Sequence, residues 1–320
     1  MNLIDKYKFL FNSLGLDAVI SVDRIKHGND LDKIITHNGT YFCKTYTKNW
    51  YGRPEDNWHQ VQHESGAYSV LKIHGLNTPE VTHAELSEEN PLGRPYLLLR
   101  ALTGKTILEL RSLGEDLEPL LLAVGDYLRR MHAIEFRFPG YVDSVNGPMG
   151  KPSVDEWQHS HWASEVLESE AKKRWFKIRE SLGKQIYEDM LQMFDEFREI
   201  IESEYKPPKM IHGDCHLDHF FFDNNKITGV VDMEVASSGA PIGDLVKLSI
   251  QASSKLGSLS WWMPLFQGYV KKLHFEHFKL RLLCCEDEEF KCHDWQGDYS
   301  EILVRLHKSQ SWSELFSYWR

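Results

Sequence analysis

The sequence predicts an α+β fold in which a small strand-rich part precedes a larger helical part. Three observations support this prediction. In the first hundred residues, short β-type runs at 18–22, 33–37 and 40–46 are separated by the turn sequences HGND and HNG. Apolar residues recur at helical spacing over 117–134. The remainder is mostly helical in character and contains one predicted hairpin.

Length and composition indicate an ordinary globular protein. The chain has 320 residues, of which 42% are hydrophobic and 26% are charged, which is enough for two domains with a sizeable core. The formal net charge of −10 disfavours nucleic acid as the main partner and mildly favours a cationic small substrate. The five cysteines have no regular spacing, so they do not predict a disulfide framework and suit a reducing compartment. Neither a signal peptide nor a membrane span is predicted, so we expect a cytoplasmic protein without a membrane partner.

The strand-rich part is expected to contain one helix. It spans 54–75, with Pro54 in its first turn and Gly75 at its end. The other predicted elements are a strand within 93–102, helices at 155–182 and 185–205, and a hairpin at 220–232 with an Asp-Asn-Asn turn. A cleft between the two parts is the expected ligand site.

Two pairs of charged residues indicate the chemistry. Lys44 lies in the predicted strand YFCKTY, where alternation places Lys44 and Tyr41 on opposite faces, and Glu64 lies in the helix that follows. The cation can therefore hold nucleotide phosphates while the carboxylate positions it. Asp214 precedes the hairpin in IHGDCH, and Asp232 ends its second strand in VVDME. One of these aspartates can accept a hydroxyl proton, and the other can hold Mg²⁺, which prefers oxygen ligands.

These motifs, in this order, resemble the aminoglycoside phosphotransferase family, whose small-molecule kinases share the protein-kinase-like bilobal fold. The resemblance extends over about 17–270 and includes YLLLRALTGKTI, AVGDYLRRMHAI and GAPIGDLVKL. It implies transfer of the γ-phosphate of ATP or GTP to a hydroxyl of a small molecule, with Mg²⁺ as cofactor. It also implies a nucleotide-binding lobe at 1–102 with a hinge at about 98–103, and a helical lobe at 103–320 that holds the catalytic loop, the metal site and the acceptor pocket.

The resemblance implies a role for each matching residue. Asp214 would be the catalytic base and Asp232 a Mg²⁺ ligand, while Lys44 would contact the α- and β-phosphates with Glu64 as its partner. The remaining implied contacts are those of Gly28 in a phosphate-covering turn, of the backbone of Arg100, Ala101 and Leu102 with the nucleotide base, and of Trp157 and Trp162 with the acceptor. His212 and His216 are expected to support the catalytic loop, and Asp244 is expected either to anchor that loop or to cap a helix.

The sequence departs from the family pattern at His219. Most members read HGDxHxxN, in which the asparagine oxygen helps to bind the metal, whereas macrolide phosphotransferases look similar to this chain in having histidine there. Mg²⁺ accepts an imidazole nitrogen less readily than an amide oxygen. His219 could ligate a metal or donate to a phosphate oxygen, and we expect activity to fall below about pH 6.5 as it becomes protonated. The alternative interpretation is a nucleotide-binding pseudokinase without activity.

A second alternative uses the same short stretch. Asp214, His216, Asp218 and His219 resemble the HxHxDH motif of metallo-β-lactamase-like hydrolases, which binds zinc, with aspartate in the first position. That interpretation leaves Lys44 and the second aspartate without a role, so a phosphotransferase is the preferred prediction. Its acceptor stays open between an aminoglycoside or macrolide antibiotic and a metabolite such as a sugar, an amino alcohol or homoserine.

Overall fold

The computed structural model describes residues 2–26, 30–46, 57–144, 146–147, 161–257, 260–270 and 272–318. The strands are β1 (Val19–Lys26), β2 (Asp30–Thr36), β3 (Thr40–Thr45), β4 (Val81–Glu85), β5 (Tyr96–Arg100), β6 (Lys105–Thr106), β7 (Gly140–Tyr141), β8 (Lys209–Ile211), β9 (Phe220–Asp223), β10 (Lys226–Val230) and β11 (Ser237–Gly239). They form a five-stranded antiparallel sheet in the order β1-β2-β3-β5-β4, and two three-stranded antiparallel sheets in the orders β10-β9-β6 and β7-β11-β8.

The helices lie mainly after the five-stranded sheet, as the sequence predicts. They are α1 (Leu3–Ser13), α2 (Asn57–Ile73), α3 (Ile107–Ser112), α4 (Glu118–Met131), α5 (Trp162–Leu182), α6 (Lys184–Glu204), α7 (Ile242–Leu256), α8 (Trp262–Tyr269), α9 (Phe275–Leu283), α10 (Asp287–Lys291), α11 (Tyr299–Lys308) and α12 (Trp312–Leu315). Among the described residues, no helix combines the length and the apolar character that crossing a membrane requires.

Helices cover both faces of the five-stranded sheet. Alternation along β3 buries Tyr41 and Cys43 on the face that carries α1, where Tyr41 meets the ring of Phe11 edge-on at 5.3 Å. The opposite face carries Lys44 and packs against α2. The alternation was predicted from the sequence, whereas α1 was not.

The chain leaves the sheet after β5 and reaches a short hairpin much later in the sequence. The hairpin strands β9 and β10 are joined by Asn224 and Asn225, which have φ values of 50° and 59°. Two positive φ values in a two-residue connection are typical of a type I′ turn, so the predicted Asp-Asn-Asn turn is confirmed. Because β6 pairs with β9, the segment after the first sheet lies directly against the hairpin.

Two glycines let α4 and α8 pack at very short range. A β-carbon at Gly125 would lie 2.1 Å from the carbonyl oxygen of Leu265, and one at Gly268 would lie 2.0 Å from that of Leu122. No side chain fits at either position without moving the partner backbone. This packing fixes the C-terminal end of α4, where His132 Nε2 lies 3.0 Å from Asp244 Oδ2.

The predicted helices are present with shifted boundaries. The helix expected over 54–75 is described as Asn57–Ile73 and is followed by Gly75 at φ 69°. The helix expected over 155–182 is described from Trp162, and residues 151–160 lie outside the described part. Trp261 and Tyr269 are buried in the core of the helical part.

Candidate active site

Lys44 lies among three carboxylates, one from α2 and two from the segment that follows β10. Its Nζ is 3.0 Å from Glu64 Oε2, 2.5 Å from Asp232 Oδ1 and 2.8 Å from Glu234 Oε2. Burial by itself would lower the pKa of Lys44, but the three carboxylates together raise it above its ordinary value. The ammonium group therefore stays charged at the centre of the cluster.

Two tyrosines hold Glu64 in place. The carboxylate is only 1% exposed; Oε2 accepts a hydrogen bond from the Tyr46 hydroxyl at 2.6 Å, and Oε1 accepts one from the Tyr68 hydroxyl at 2.8 Å. Burial, followed by the charge of Glu64, raises the pKa of both hydroxyls, so they remain donors at neutral pH. The Tyr68 hydroxyl also accepts from the amide of Asp232 at 3.1 Å. Glu64 is thus fixed as the partner of Lys44.

Asp232 follows β10 in a left-handed conformation. Its φ and ψ are 64° and 47°, a region that few residues other than glycine, asparagine and aspartate adopt. The side chain is 41% exposed. Partial burial would raise the pKa of Asp232, but Lys44 and then His219 lower it below its ordinary value. The carboxylate is therefore ionised and partly exposed to solvent.

Asp244 anchors the loop that carries Asp214. Its Oδ2 accepts from the amide of His212 at 2.7 Å, and its Oδ1 accepts from the amide of Gly213 at 2.9 Å. Gly213 has φ 83°, and a β-carbon there would lie 2.4 Å from the carbonyl oxygen of Val235. Only glycine fits at this position, and the expectation that Asp244 supports the loop agrees with these contacts.

His212 connects the loop to the end of the hairpin. Its Nε2 donates to the carbonyl oxygen of Val231 at 3.0 Å, and its Nδ1 accepts from the amide of Asp214 at 3.4 Å. One donor and one acceptor define a neutral ring, and burial lowers the pKa of His212 in agreement. His212 therefore braces the loop that carries Asp214, as expected.

The Asp214 carboxylate is 41% exposed and lies beside two basic groups. Its Oδ1 is 3.5 Å from His216 Nε2 and 3.5 Å from Lys247 Nζ. Partial burial would raise the pKa of Asp214, but His216 and Lys247 lower it. Asp214 is therefore ionised at neutral pH, as a group that accepts a proton has to be.

His219 lies between the two aspartates. Its ring stacks on His212 at 5.0 Å and on His216 at 5.1 Å, and its Nε2 is 3.7 Å from Asp232 Oδ2. Burial lowers the pKa of His219, although Asp232 opposes this effect. The imidazole is therefore neutral at neutral pH, which is the form that can ligate a metal.

Two groups of side chains in the described part place their ligand atoms within 4.8 Å of one another. One consists of the carboxylates Glu64, Asp232 and Glu234, and the other of His216, Asp218 and His219. Carboxylate oxygens suit Mg²⁺. Because Glu64 is occupied by its two tyrosines and Lys44, the residues that fit the ion are Asp232 and Glu234, with His219 beside them.

Two backbone amides of the segment predicted to bind the nucleotide base already donate hydrogen bonds within the protein. The amide of Arg100 donates to the Glu80 carbonyl, and the amide of Ala101 donates to the Thr40 carbonyl, each at 2.9 Å. The predicted contact with the base therefore narrows to other backbone groups of the segment, such as the amide of Leu102.

Three other predicted site residues receive less support. Gly28 and Trp157 lie outside the described residues. Trp162 begins α5 half-buried and meets the ring of Tyr205 edge-on at 5.7 Å. The structure does not bring Trp162 into contact with any of the charged groups of the site, so its predicted role stays a prediction.

Several residues of the site were not predicted from the sequence. Tyr46 is two positions from Lys44 on the same strand face, and Tyr68 is four positions from Glu64 on the same helix face, so periodicity could have indicated both. Glu234 is the last residue of the motif VVDME, so its closeness in sequence to Asp232 could have indicated it. Lys247 has no local signal, because only the packing of α7 brings it to the loop.

A lysine–glutamate pair at an antiparallel sheet, facing two aspartates at a loop and a hairpin, defines the class of protein-kinase-like phosphotransferases. Residues 24–283 match the family model described as the phosphotransferase enzyme family, and the chain belongs to that family. Comparison with curated proteins gives no match.

Solved structures show the protein-kinase-like fold. A thermostable mutant of aminoglycoside phosphotransferase APH(4)-Ia, in a ternary complex with AMP-PNP and hygromycin B, has a TM-score of 0.59 at 16% identity and covers 97% of this chain and 100% of that chain. A complex of another aminoglycoside phosphotransferase with GDP and kanamycin has a TM-score of 0.56 at 15% identity, with coverages of 91% and 89%. A candidate fructosamine-3-kinase of Haemophilus somnus has a TM-score of 0.55 at 15% identity, with coverages of 95% and 96%.

Proposed function

We propose that this small-molecule phosphotransferase is an active kinase that transfers the γ-phosphate of ATP or GTP to a hydroxyl group of its acceptor. One observation carries the proposal. Two ionised, half-exposed aspartates are joined through His216 and His219, with Asp214 at one end and the Lys44–Asp232 pair at the other. A proton acceptor and a phosphate-binding group therefore lie at opposite ends of one continuous set of contacts.

Each residue of the site would have a separate role in an in-line phosphate transfer. Asp214 would accept the proton of the attacking hydroxyl, and Lys44, held by Glu64, would contact the α- and β-phosphates. Asp232 and Glu234 would hold Mg²⁺, with His219 beside them, and the bound ion would offset the negative charge of the phosphates. Catalysis would consist mainly of positioning and charge stabilisation.

The proposed division into lobes follows the same contacts. Residues 1–102 would form the nucleotide-binding lobe, and residues 103–320 would carry the catalytic loop, the metal site and the acceptor pocket. The structural neighbours with AMP-PNP, GDP, hygromycin B or kanamycin support a nucleotide donor and a hydroxylated acceptor. The candidate fructosamine-3-kinase among them supports keeping metabolites among the acceptors.

The proposed location is the cytoplasm. All five cysteines are free thiols, with Cys43, Cys215 and Cys284 buried. Unpaired cysteines fit a reducing compartment. Proposed acceptors are an aminoglycoside or macrolide antibiotic, or a hydroxylated metabolite.

The test compares two aspartates of one loop. The protein is incubated with Mg-ATP or Mg-GTP and a panel of aminoglycosides, macrolides, sugars and amino alcohols, and products are followed by the mass gain of one phosphate. Asp214→Asn should lower transfer by about 100- to 10,000-fold and leave nucleotide binding intact. Asp218→Asn makes the same change of charge at an exposed residue and retains an oxygen for the Gln251 Nε2 that donates to Asp218 at 2.7 Å. It should leave transfer within about threefold of the unaltered protein, as is usual for surface changes.

The outcomes separate the alternatives. Normal transfer by Asp214→Asn would overturn the proposal. Tight nucleotide binding without product for any acceptor or water would favour a pseudokinase. Loss of a hydrolytic activity in Asp218→Asn, together with zinc retained in stoichiometric amount, would favour the metal-dependent hydrolase built on Asp214, His216, Asp218 and His219.

A further inference from the structure

The C-terminal segment 284–295 reaches the catalytic loop from outside the family-matched residues 24–283. Glu289, on α10, places its Oε1 2.9 Å from Lys247 Nζ. His293 meets the ring of His216 edge-on at 4.9 Å. The family pattern that identifies the site therefore does not account for the groups that this segment brings to it.

Lys247 links this segment to Asp214. It lies on α7, where its half-buried ammonium group contacts Glu289 at 2.9 Å and Asp214 Oδ1 at 3.5 Å. Burial would lower the pKa of Lys247, but Glu289 and then Asp214 raise it, so the group is cationic at neutral pH. A single charged side chain thus bridges the expected base and a carboxylate that holds it in position.

The geometry at Asp214 suggests what this bridge does. Lys247 and His216 both contact Oδ1, on one side of the carboxylate. The proton of an acceptor hydroxyl would therefore go to Oδ2. A carboxylate that is free to rotate would present the wrong oxygen for part of the time, and small errors of position at a reacting group reduce rates strongly.

We propose that Lys247, held by Glu289, is a positioning residue that fixes the rotation of the Asp214 carboxylate and keeps positive charge beside it during phosphate transfer. This inference rests on the proposed function of Asp214. It assigns to the C-terminal segment a part in catalysis, although Lys247 itself acts through Asp214.

The chain offers a matched control for a merely structural role. Lys255 lies on the same helix and pairs with Asp294 of the same segment at 2.6 Å, but this pair is exposed and is not in contact with Asp214. Lys247→Met and Lys255→Met each remove one ion pair between α7 and the segment. Only Lys247→Met removes the contact with the proposed base.

The experiment measures phosphate release to water and transfer to an acceptor from the panel, with nucleotide affinity and melting temperature for each variant. Lys247→Met should lower kcat by about 10- to 100-fold with little change in nucleotide affinity, because only the position of the base is affected. Lys255→Met should lower melting temperature similarly and leave kcat unchanged. Lys247→Arg, which retains the charge, should recover most of the activity. Equal kcat for Lys247→Met and Lys255→Met overturns the inference.

Double variants test the route of the effect. In an Asp214→Asn background, Lys247→Met should lower kcat by less than about twofold. The effects of two substitutions are not additive when one residue acts through the other. Glu289→Gln alone should lower kcat by a smaller factor than Lys247→Met does. In the Lys247→Met background, Glu289→Gln should not lower kcat further. Full additivity in either pair overturns the positioning role. Full activity of Asp214→Asn overturns the proposed function instead, so the two failures are distinguishable.

Discussion

Lys44 and Asp232 stand 188 residues apart in the chain, yet Lys44 Nζ lies 2.5 Å from Asp232 Oδ1. This contact joins the five-stranded sheet to the hairpin of the helical part. It brings the proposed phosphate-binding group to the proposed metal ligand, and the buried Glu64 holds the lysine in place on the other side. The site therefore depends on the relative position of the two parts of the fold.

The first prediction concerns the charge of Lys44. Lys44→Met should lower kcat by at least about 100-fold and weaken nucleotide binding, because it removes the cation that faces the phosphates and leaves three carboxylates without a counter-charge. Steady-state kinetics and nucleotide titration measure both effects. Lys226→Met, at an exposed position of the hairpin, should change neither. Wild-type kcat in Lys44→Met would contradict the proposed role.

The second prediction separates stability from catalysis by means of two buried tyrosines. Tyr68→Phe removes a hydrogen bond to Glu64 and one from the amide of Asp232. Tyr127→Phe removes a hydrogen bond to the Asn77 carbonyl at 2.8 Å, away from the site. Each variant should lose about 1 to 2 kcal/mol of unfolding free energy, measured by denaturant titration. Only Tyr68→Phe should also lose activity, and equal activities would show that Tyr68 serves stability alone.

The third prediction concerns pH and His219. Burial lowers the pKa of His219, so the neutral form that can ligate a metal persists below the ordinary histidine value of 6.5. Activity should therefore stay constant from pH 8 to below 6.5, so that its acid decline lies at lower pH than the value of about 6.5 expected from the sequence. A pH–rate profile measures this decline. His219→Asn should remain active with Mg²⁺ and lose the acid limb, and an unchanged limb in this variant would refute the assignment.

The fourth prediction concerns the strain at Gly213. Gly213 and Gly75 both have positive φ, but only at Gly213 would a β-carbon meet backbone, 2.4 Å from the Val235 carbonyl oxygen. Gly75→Ala should cost about 1 kcal/mol from its backbone conformation alone. Gly213→Ala should cost clearly more and also abolish transfer, because the loop that carries Asp214 must shift. Thermal unfolding and activity assays compare the pair, and equal losses would argue against the clash.

The fifth prediction concerns stability and the largely buried carboxylate of Glu204, at the C-terminal end of α6. Burial raises the pKa of Glu204 to about 7, although Arg281 opposes the effect. The folded state then binds this proton more tightly than the unfolded state, so unfolding free energy should fall as pH rises from about 4.5 to 7 and level off above that. The fall attributable to Glu204 should be about 1 to 3 kcal/mol.

Denaturant titrations at several pH values measure the slope of unfolding free energy against pH. Glu204→Gln should flatten it between pH 5 and 7.5, because the amide does not titrate. Glu199→Gln, at an exposed position of the same helix, should leave it unchanged. Identical slopes for the unaltered protein and Glu204→Gln would disprove the raised pKa.

Local patterns allowed much of the fold to be predicted. The alternation on β3 indicated that Lys44 and Tyr41 face opposite sides, and the structure places them so. The asparagines of the Asp-Asn-Asn sequence predicted the hairpin turn, and their positive φ values then identified its type. The helix α1 was not predicted. Its segment is short, and its apolar residues are buried by packing on Tyr41 and Cys43, which are distant in the sequence.

The sequence by itself determined the α+β class and the order of the elements, and it predicted Lys44, Glu64, Asp214 and Asp232 as the residues that carry the chemistry. Those signals are local, because strand alternation, turn chemistry and short motifs depend on neighbouring residues. Tertiary structure alone decided that Tyr46 and Tyr68 fix Glu64, and that Lys247 and Glu289 stand beside Asp214. Contacts between distant segments depend on how helices and sheets pack together, and no local period in the sequence encodes that packing.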